Sequence, residues 1–406
     1  MLISFFLALL LPSLILSVPL NSPVFNVLDY GAVGDGSTDA TNAFIKTWKA
    51  TCTSLSSSTM YVPSGHTFLL HPLKLRGPCL SPNLTIKMDG NIVAPSEPSK
   101  WRCFDHLCLQ WIHIKHVNGL TVRGNGTING RGHKWWDVKD RVKPTAFEIS
   151  HSKNIILSGL SFKDNPRMHV HFEKSKSVTI SNITIDAPAK SPNTDGIHVT
   201  SSTDVSINHC QIRTGDDCIS IVDGCSDLKI SNIVCGPGHG ISIGSLGKHG
   251  SNNKVENIVV SDILFIKSTN GARIKTWQGG HGHARNITFE RINSQDSRNP
   301  IIIDQFYCDK EQCTEQDSAV QVSDITFRNI RGTSQGKFAV KLDCSASVPC
   351  TGGEESIGRS RRVGTRYHQE HKHFTFDVQL VSSSTKGSKC GHKSVTWSAA
   401  LLFWRR

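Results

Sequence analysis

A chain of 406 residues is long enough for a large core arranged in one or two domains. Its charge balance, 45 Lys and Arg against 33 Asp and Glu for a net +12, calls for a polyanionic partner: nucleic acid, an anionic membrane or an acidic polysaccharide. Thirteen cysteines, none spaced as the paired CxxC units of a zinc site, speak against a reducing compartment and for disulfides.

Residues 1–18 are almost wholly apolar, and Pro19 closes the run. The stretch is shorter than the ~20 residues that cross a bilayer. Even without a basic leading region, it reads as a cleaved export signal. Export selects the acidic polysaccharide among the polyanions, and the four sequons at Asn83, Asn125, Asn182 and Asn286 fit an exported glycoprotein. By spacing, Cys308 with Cys313 and Cys344 with Cys350 are candidate local pairs; the remaining connectivity stays open, and the odd count leaves one thiol over.

Asp39–Cys52 carries apolar residues at 43, 44, 45 and 48 behind Asp and Thr, the pattern of an amphipathic helix. It is placed to cap one open end of the repeat that follows. From about residue 116, strand-like segments recur at Gly119, Asn154, Ser177, Asp204, Asp227, Asn257, Asn286 and Asp324, each a small or polar residue followed by alternating apolar and polar positions. Asn, Asp and Gly punctuate the intervals, and helical periodicity is missing. Three short strands per coil, stacked so that inward side chains form apolar columns, make an all-β parallel β-helix. A β-sandwich with irregular loops is the competing arrangement, but its strands lack a long-period register. Residues 353–406 break the pattern, with ten Lys or Arg against four Asp or Glu, and only Phe374–Leu380 still reads as a strand. A truncated last coil exposes strand edges, so poor packing is expected there rather than an unusual cap.

Carboxylates, a histidine and glycines concentrate in Asn193-Thr-Asp195-Gly196, Gly215-Asp216-Asp217 and Gly238-His239-Gly240. Asp195 to Asp217 and Asp217 to His239 are both 22 residues, so stacked coils bring them to one face, a strand spacing of ~4.8 Å apart. Crowded carboxylates raise the pKa of at least one, letting a protonated acid and an ionised base coexist. Glycosidic hydrolysis needs that pairing, with acid and base ~6.5–9.5 Å apart if configuration inverts. A single Asp-Gly pair is more often a turn cap, but three clustered motifs are not explained so. Arg273 and Lys275, two apart on a strand, share one side and suit a uronate carboxylate, although a solvated surface strand explains those two residues equally well.

NTDGIH (193–198), GDDC (215–218), GHGISIGSLG (238–247) and RIKT (273–276) together resemble the plant polygalacturonases of glycoside hydrolase family 28. FNVLDYGAVGDGSTDATNAF (25–44), GTINGRGHKWW (126–136) and IIIDQFYCD (301–309) extend the resemblance over about residues 25–352. It implies a right-handed parallel β-helix and hydrolysis of galacturonate linkages in pectin. Asp216 would be the general acid, while Asp195 and Asp217 would position and deprotonate the attacking water. His239 would tune the acid, Arg273 and Lys275 would grip the galacturonate carboxylate, Tyr307 would line the cleft, and Asn193 would join the substrate contacts. A disulfide between Cys218 and Cys235 is implied in the same way.

The organisation expected is a signal peptide over 1–18, a catalytic β-helix over 19–352 and an atypical basic tail over 353–406. Also implied are a pectin partner with no nucleic acid, no membrane contact after signal cleavage, a monomer secreted to the plant cell wall, and neither metal nor cofactor. Family members continue past PCTG (349–352) with further strands and paired cysteines, whereas 352–374 matches no family segment. An altered reading frame or retained intron would produce such a tail and leave Cys390 unpaired. Three rivals are distinguishable. A pectate lyase needs calcium and an arginine base, a rhamnogalacturonan hydrolase has less use for the Arg273 and Lys275 pair, and a non-catalytic pectin binder has no need of the acidic set.

Overall fold

The computed structural model describes residues 22–103, 108–139, 142–309, 313–352, 355–356 and 374–381. The expectations for the signal segment 1–18, for most of the tail and for Cys390 lie outside these residues. No helix among the described residues is long and apolar enough to cross a membrane.

Each repeat segment identified in the sequence begins at a residue with left-handed backbone: Gly119, Asn154, Ser177, Asp204, Asp227, Asn257, Asn286 and Asp324 have φ between 53° and 76°. Glycine, and Asn or Asp with their short polar side chains, adopt this conformation at least cost, so the motif's first letter marks a corner of the chain. The following apolar residues turn inward. Leu120, Ile155, Val178, Val205, Leu228, Ile258, Ile287 and Ile325 are buried and are register partners from coil to coil. Each such column removes apolar side chains from water at about 1.5–3 kcal/mol apiece. The corners add polar ladders: Asn257 Nδ2 donates to Asp227 Oδ1 at 3.0 Å, and Asn286 Nδ2 donates to Asn257 Oδ1 at 2.7 Å. Asn257→Ala is expected to lower stability by roughly 1–2 kcal/mol, because alanine loses both bonds and resists positive φ. A urea melt unchanged by this substitution would remove the corner from the account of the fold.

A second corner splits the path. In an earlier coil, Lys176–Ser181 and Thr184–Asp186 are separate strands around Asn182 at φ 54°. In later coils, strands such as Thr203–Arg213 and Cys225–Cys235 run continuously through the equivalent bend at His209 and Asn232. These segments form one large sheet. Opposite it, ten parallel strands stack from Leu73–Arg76 through Gln110–Lys115, Thr145–Ser150, Val170–Glu173, Ile197–Thr200, Ile219–Ile221, Ile241–Leu246, Asn270–Thr276 and Asn299–Asp304 to Val340–Asp343. Parallel strands joined by such crossovers wind right-handed, so the chain is a right-handed parallel β-helix.

The helix Thr41–Cys52 closes one end, burying Ala43, Phe44 and Trp48. Asp39 stands before the helix, in strand Asp35–Asp39, and its carboxylate accepts from the Thr41 amide at 2.9 Å. Ile45, counted with the apolar face from sequence, is 36% exposed because it lies at the edge of the stripe. At the other end Phe374–Val381 pairs antiparallel with Gln321–Ser334 and so adds a strand of reversed direction to that edge.

Five disulfides form among the described residues. They include the two local pairs expected from spacing and the implied Cys218–Cys235 pair, and Cys52–Cys79 and Cys103–Cys108 add to them. The expectation of one leftover thiol is corrected: Cys210 and Cys225 are both unpaired and buried, packed inward as small apolar groups.

Candidate active site

Asn193, Asp195, Asp216, Asp217 and His239 lie on turns that lead into strands of the ten-stranded sheet, and Arg273 and Lys275 lie within its strand Asn270–Thr276. Ile197, Ile219 and Ile241 are register partners on three successive strands. Asp195, Asp217 and His239, each two residues earlier, therefore occupy equivalent places on three coils, and the 22-residue spacing is one coil. Backbone bonds hold the turns together: Gly196 N–H donates to the Asp217 carbonyl at 2.9 Å, and Cys218 N–H to the Gly240 carbonyl at 2.8 Å. Gly215 is required because a Cβ there would lie 2.0 Å from the Ser191 carbonyl oxygen. The Cys218–Cys235 bridge ties the GDDC turn to the coil that follows.

Asp217 is the electrostatic centre. It is almost fully buried, which opposes ionisation, yet Lys275 and Arg273 beside it carry its pKa from 3.8 down to about 2. Lys275 Nζ donates to Oδ2 at 2.9 Å, while Arg273 Nη2 and Ser242 Oγ donate to Oδ1 at 2.5 and 2.8 Å. Arg273 Nε also donates to Ser242 Oγ at 2.8 Å. For Asp217, carboxylate crowding therefore does not win, since two cations within contact outweigh it.

Asp216 is half-buried. Its Oδ1 meets His239 Nδ1 at 3.0 Å and accepts from the Asp217 amide at 2.8 Å, and its Oδ2 lies 3.4 Å from Asn193 Nδ2. Asp195 Oδ2 meets His198 Nδ1 at 3.1 Å. Tyr307 stands over Lys275, with the ammonium 5.3 Å from its ring centroid, and its hydroxyl donates to Asp309 Oδ1 at 2.5 Å. Burial, together with Asp309, pushes the phenol pKa up.

The structure thus gathers Asp195, Asp216, Asp217 and His239 on adjacent coils, with Asn193 beside Asp216 and Tyr307 beside Lys275. Arg273 and Lys275 share one side of their strand, as i and i+2 should, and here both reach Asp217. Two contacts were missed from sequence, His198 on Asp195 and Ser242 on Asp217. Both sit inside the motifs NTDGIH and GHGIS at outward strand positions, and strand alternation could have found them. Ligand atoms of Asp216, Asp217 and His239 lie within 4.8 Å of one another, a spacing open to a cation, but both Asp217 oxygens already accept from Arg273, Ser242 and Lys275.

A family model described as glycosyl hydrolases family 28 matches residues 52–356, and one described as rhamnogalacturonase A/epimerase, pectate lyase-like, matches 24–76. A probable polygalacturonase of Arabidopsis thaliana is 47% identical over 334 residues, covering 82% of this chain and 72% of the relative. A polygalacturonase of Persea americana is also 47% identical, over 336 residues, with 80% and 71% covered. Among solved structures, the endo-xylogalacturonan hydrolase of Aspergillus tubingensis superposes with a TM-score of 0.70 at 28% identity, covering 82% of this chain and 90% of that one. A polygalacturonase of Erwinia carotovora shares the fold at 22% identity and a TM-score of 0.63, with 85% and 99% covered.

Proposed function

The chain belongs to the glycosyl hydrolases of family 28 and is a hydrolase of polygalacturonan, and we propose that it cuts the α-1,4 galacturonate linkage by an inverting acid–base mechanism centred on Asp216. Asp216 gives its proton to the glycosidic oxygen. His239, bonded to Asp216 Oδ1, holds the carboxyl in place and supports its reprotonation. Asp195 and Asp217, one coil apart, orient the attacking water on the opposite side of the sugar ring and accept its proton. Asp195, oriented by His198, is the better proton acceptor of the two, because both Asp217 oxygens are engaged.

Arg273 and Lys275 bind the galacturonate carboxylate while still holding Asp217. A guanidinium has five N–H donors and an ammonium three, so donors remain on both after the bonds to Asp217 and Ser242 are made. Tyr307 walls this pocket, and Asn193 reaches the sugar from beside Asp216. The observation that carries the reading is the convergence of three aspartates and a two-cation clamp on consecutive coils. Export to an extracellular wall is supported by the apolar segment 1–18 and the five disulfides.

The test is incubation of the protein with polygalacturonate in the presence of EDTA. The expected result is steady release of reducing ends, no new ultraviolet absorbance, and a first-formed anomer of inverted configuration by proton NMR. A calcium-dependent, ultraviolet-absorbing product would mean elimination, and binding without turnover would leave a wall-binding protein.

A further inference from the structure

Between the first two acidic turns lies a group of hydroxyls that water does not reach. Ser191, Thr194 and Thr214 are each at most 2% exposed; Thr194 stands between Asn193 and Asp195, and Thr214 precedes the Gly215-Asp216 pair. A buried hydroxyl without a partner is costly, and these three are bonded to one another. Thr194 Oγ1 is the hub: Ser191 Oγ at 2.6 Å and Thr214 Oγ1 at 2.9 Å flank it, and the Gly215 amide donates to it at 3.2 Å. Each hydroxyl has one proton to give, and one arrangement serves the whole group. Thr214 donates to the Thr194 carbonyl, Thr194 to Ser191 Oγ, and Ser191 to the Pro188 carbonyl at 2.7 Å.

These bonds cross from one coil to the next. Thr194 belongs to the turn that carries Asn193 and Asp195, whereas Thr214 and Gly215 open the turn that carries Asp216 and Asp217. On its other side the first turn is tied to the preceding coil: the His169 amide donates to the Asp195 carbonyl at 2.8 Å, and His169 Nδ1 lies 3.1 Å from the same oxygen. The hydroxyl group contains no carboxylate, so removing it alters where Asp195 stands relative to Asp216 and leaves their charges alone. We infer that Thr194 is a positioning residue for hydrolysis, its buried hydroxyl holding Asp195, on the water side, in place against Asp216, the acid. The inference rests on the roles proposed for those two aspartates. An inverting mechanism keeps acid and base ~6.5–9.5 Å apart around one water, and a misplacement of about 1 Å costs about 10²-fold in rate. Valine has the shape of threonine without its hydroxyl, so Thr194→Val takes the acceptor from the Gly215 amide and cuts the tie between the turns. Thr194→Ser loses a methyl group and keeps the tie.

Initial rates on polygalacturonate, measured on protein shown by a thermal melt to be folded, test this. Thr194→Val should lower kcat about 10- to 100-fold with KM within about twofold of wild type, and Thr194→Ser should bring kcat back to within about threefold. A folded Thr194→Val protein with wild-type kcat, a loss carried by KM, or a Thr194→Ser protein as slow as Thr194→Val would each overturn the inference. Should Thr194→Val not fold, Ser191→Ala decides, because it removes the hydroxyl that receives the Thr194 proton: kcat should fall about threefold or more at unchanged KM, and a wild-type kcat overturns the inference. Asp216→Asn, assayed alongside, separates the two levels. If that variant stays active, the acid role fails whatever Thr194 does; if it is inert while Thr194→Val runs at the wild-type rate, the positioning role alone fails.

Discussion

Replacing Asp216 with asparagine is expected to lower kcat on polygalacturonate by about 10²–10⁴, the usual worth of a positioned general acid. Asparagine keeps the shape and can still accept from the Asp217 amide and from His239, now at 2.8 and 3.0 Å, so the turn should hold. It has no proton to give to a departing sugar oxygen. KM should change little, because the proposed carboxylate clamp at Arg273 and Lys275 is untouched. The measurement is initial-rate release of reducing ends beside a thermal melt. A variant that folds normally and retains more than about a tenth of the wild-type kcat would displace Asp216 from the acid role.

Asp217→Asn is expected to have the second large effect, and on two properties together. Lys275 and Arg273 are nearly buried, and both pair with the Asp217 carboxylate. Removing its charge leaves two cations with little solvent, which costs about 3–5 kcal/mol for a buried pair broken from one side. Activity should fall with it if Asp217 orients the attacking water as proposed. A pH signature distinguishes this from generic damage. The folded carboxyl titrates at about 2 against an ordinary 3.8, so its stabilising contribution is complete above 3.8 and disappears as pH falls toward 2. That contribution is roughly 2 kcal/mol, and Asp217→Asn should flatten this part of the acid limb of the stability curve. An acid limb of unchanged slope would show that Asp217 is not held by the two cations in solution.

The residues carrying the fold were visible because the corner and the column are both local. Asp204-Val-Ser-Ile announces a left-handed corner followed by one inward residue in two, and the same four-letter logic recurs at Asp227, Asn257 and Asn286. The spacing of Asp195, Asp217 and His239 was equally readable, since one coil of this stretch is 22 residues and stacking turns that number into proximity. Less visible was the partner of each side chain. Arg273 and Lys275 suit a substrate carboxylate by residue type and spacing, but nothing in RIKT reveals that they hold Asp217, 56 and 58 residues earlier. The disulfide Cys52–Cys79 and the two buried thiols, Cys210 and Cys225, were hidden for the same reason: pairing depends on which coil ends beside which.

Sequence alone thus determined the repeating coil, its capping helix and the chemical set gathered at three successive turns, because these follow from residue type and spacing within one or two coils. Tertiary structure decided which charges meet. It put Asp217 between two cations and lowered its pKa, and it buried Glu148, on strand Thr145–Ser150, between His113 and His171 of the two neighbouring strands. Those outcomes depend on lateral register and on exclusion of water by side chains far away in the chain, and electrostatic energy is set by distance and solvent access rather than by order along the backbone.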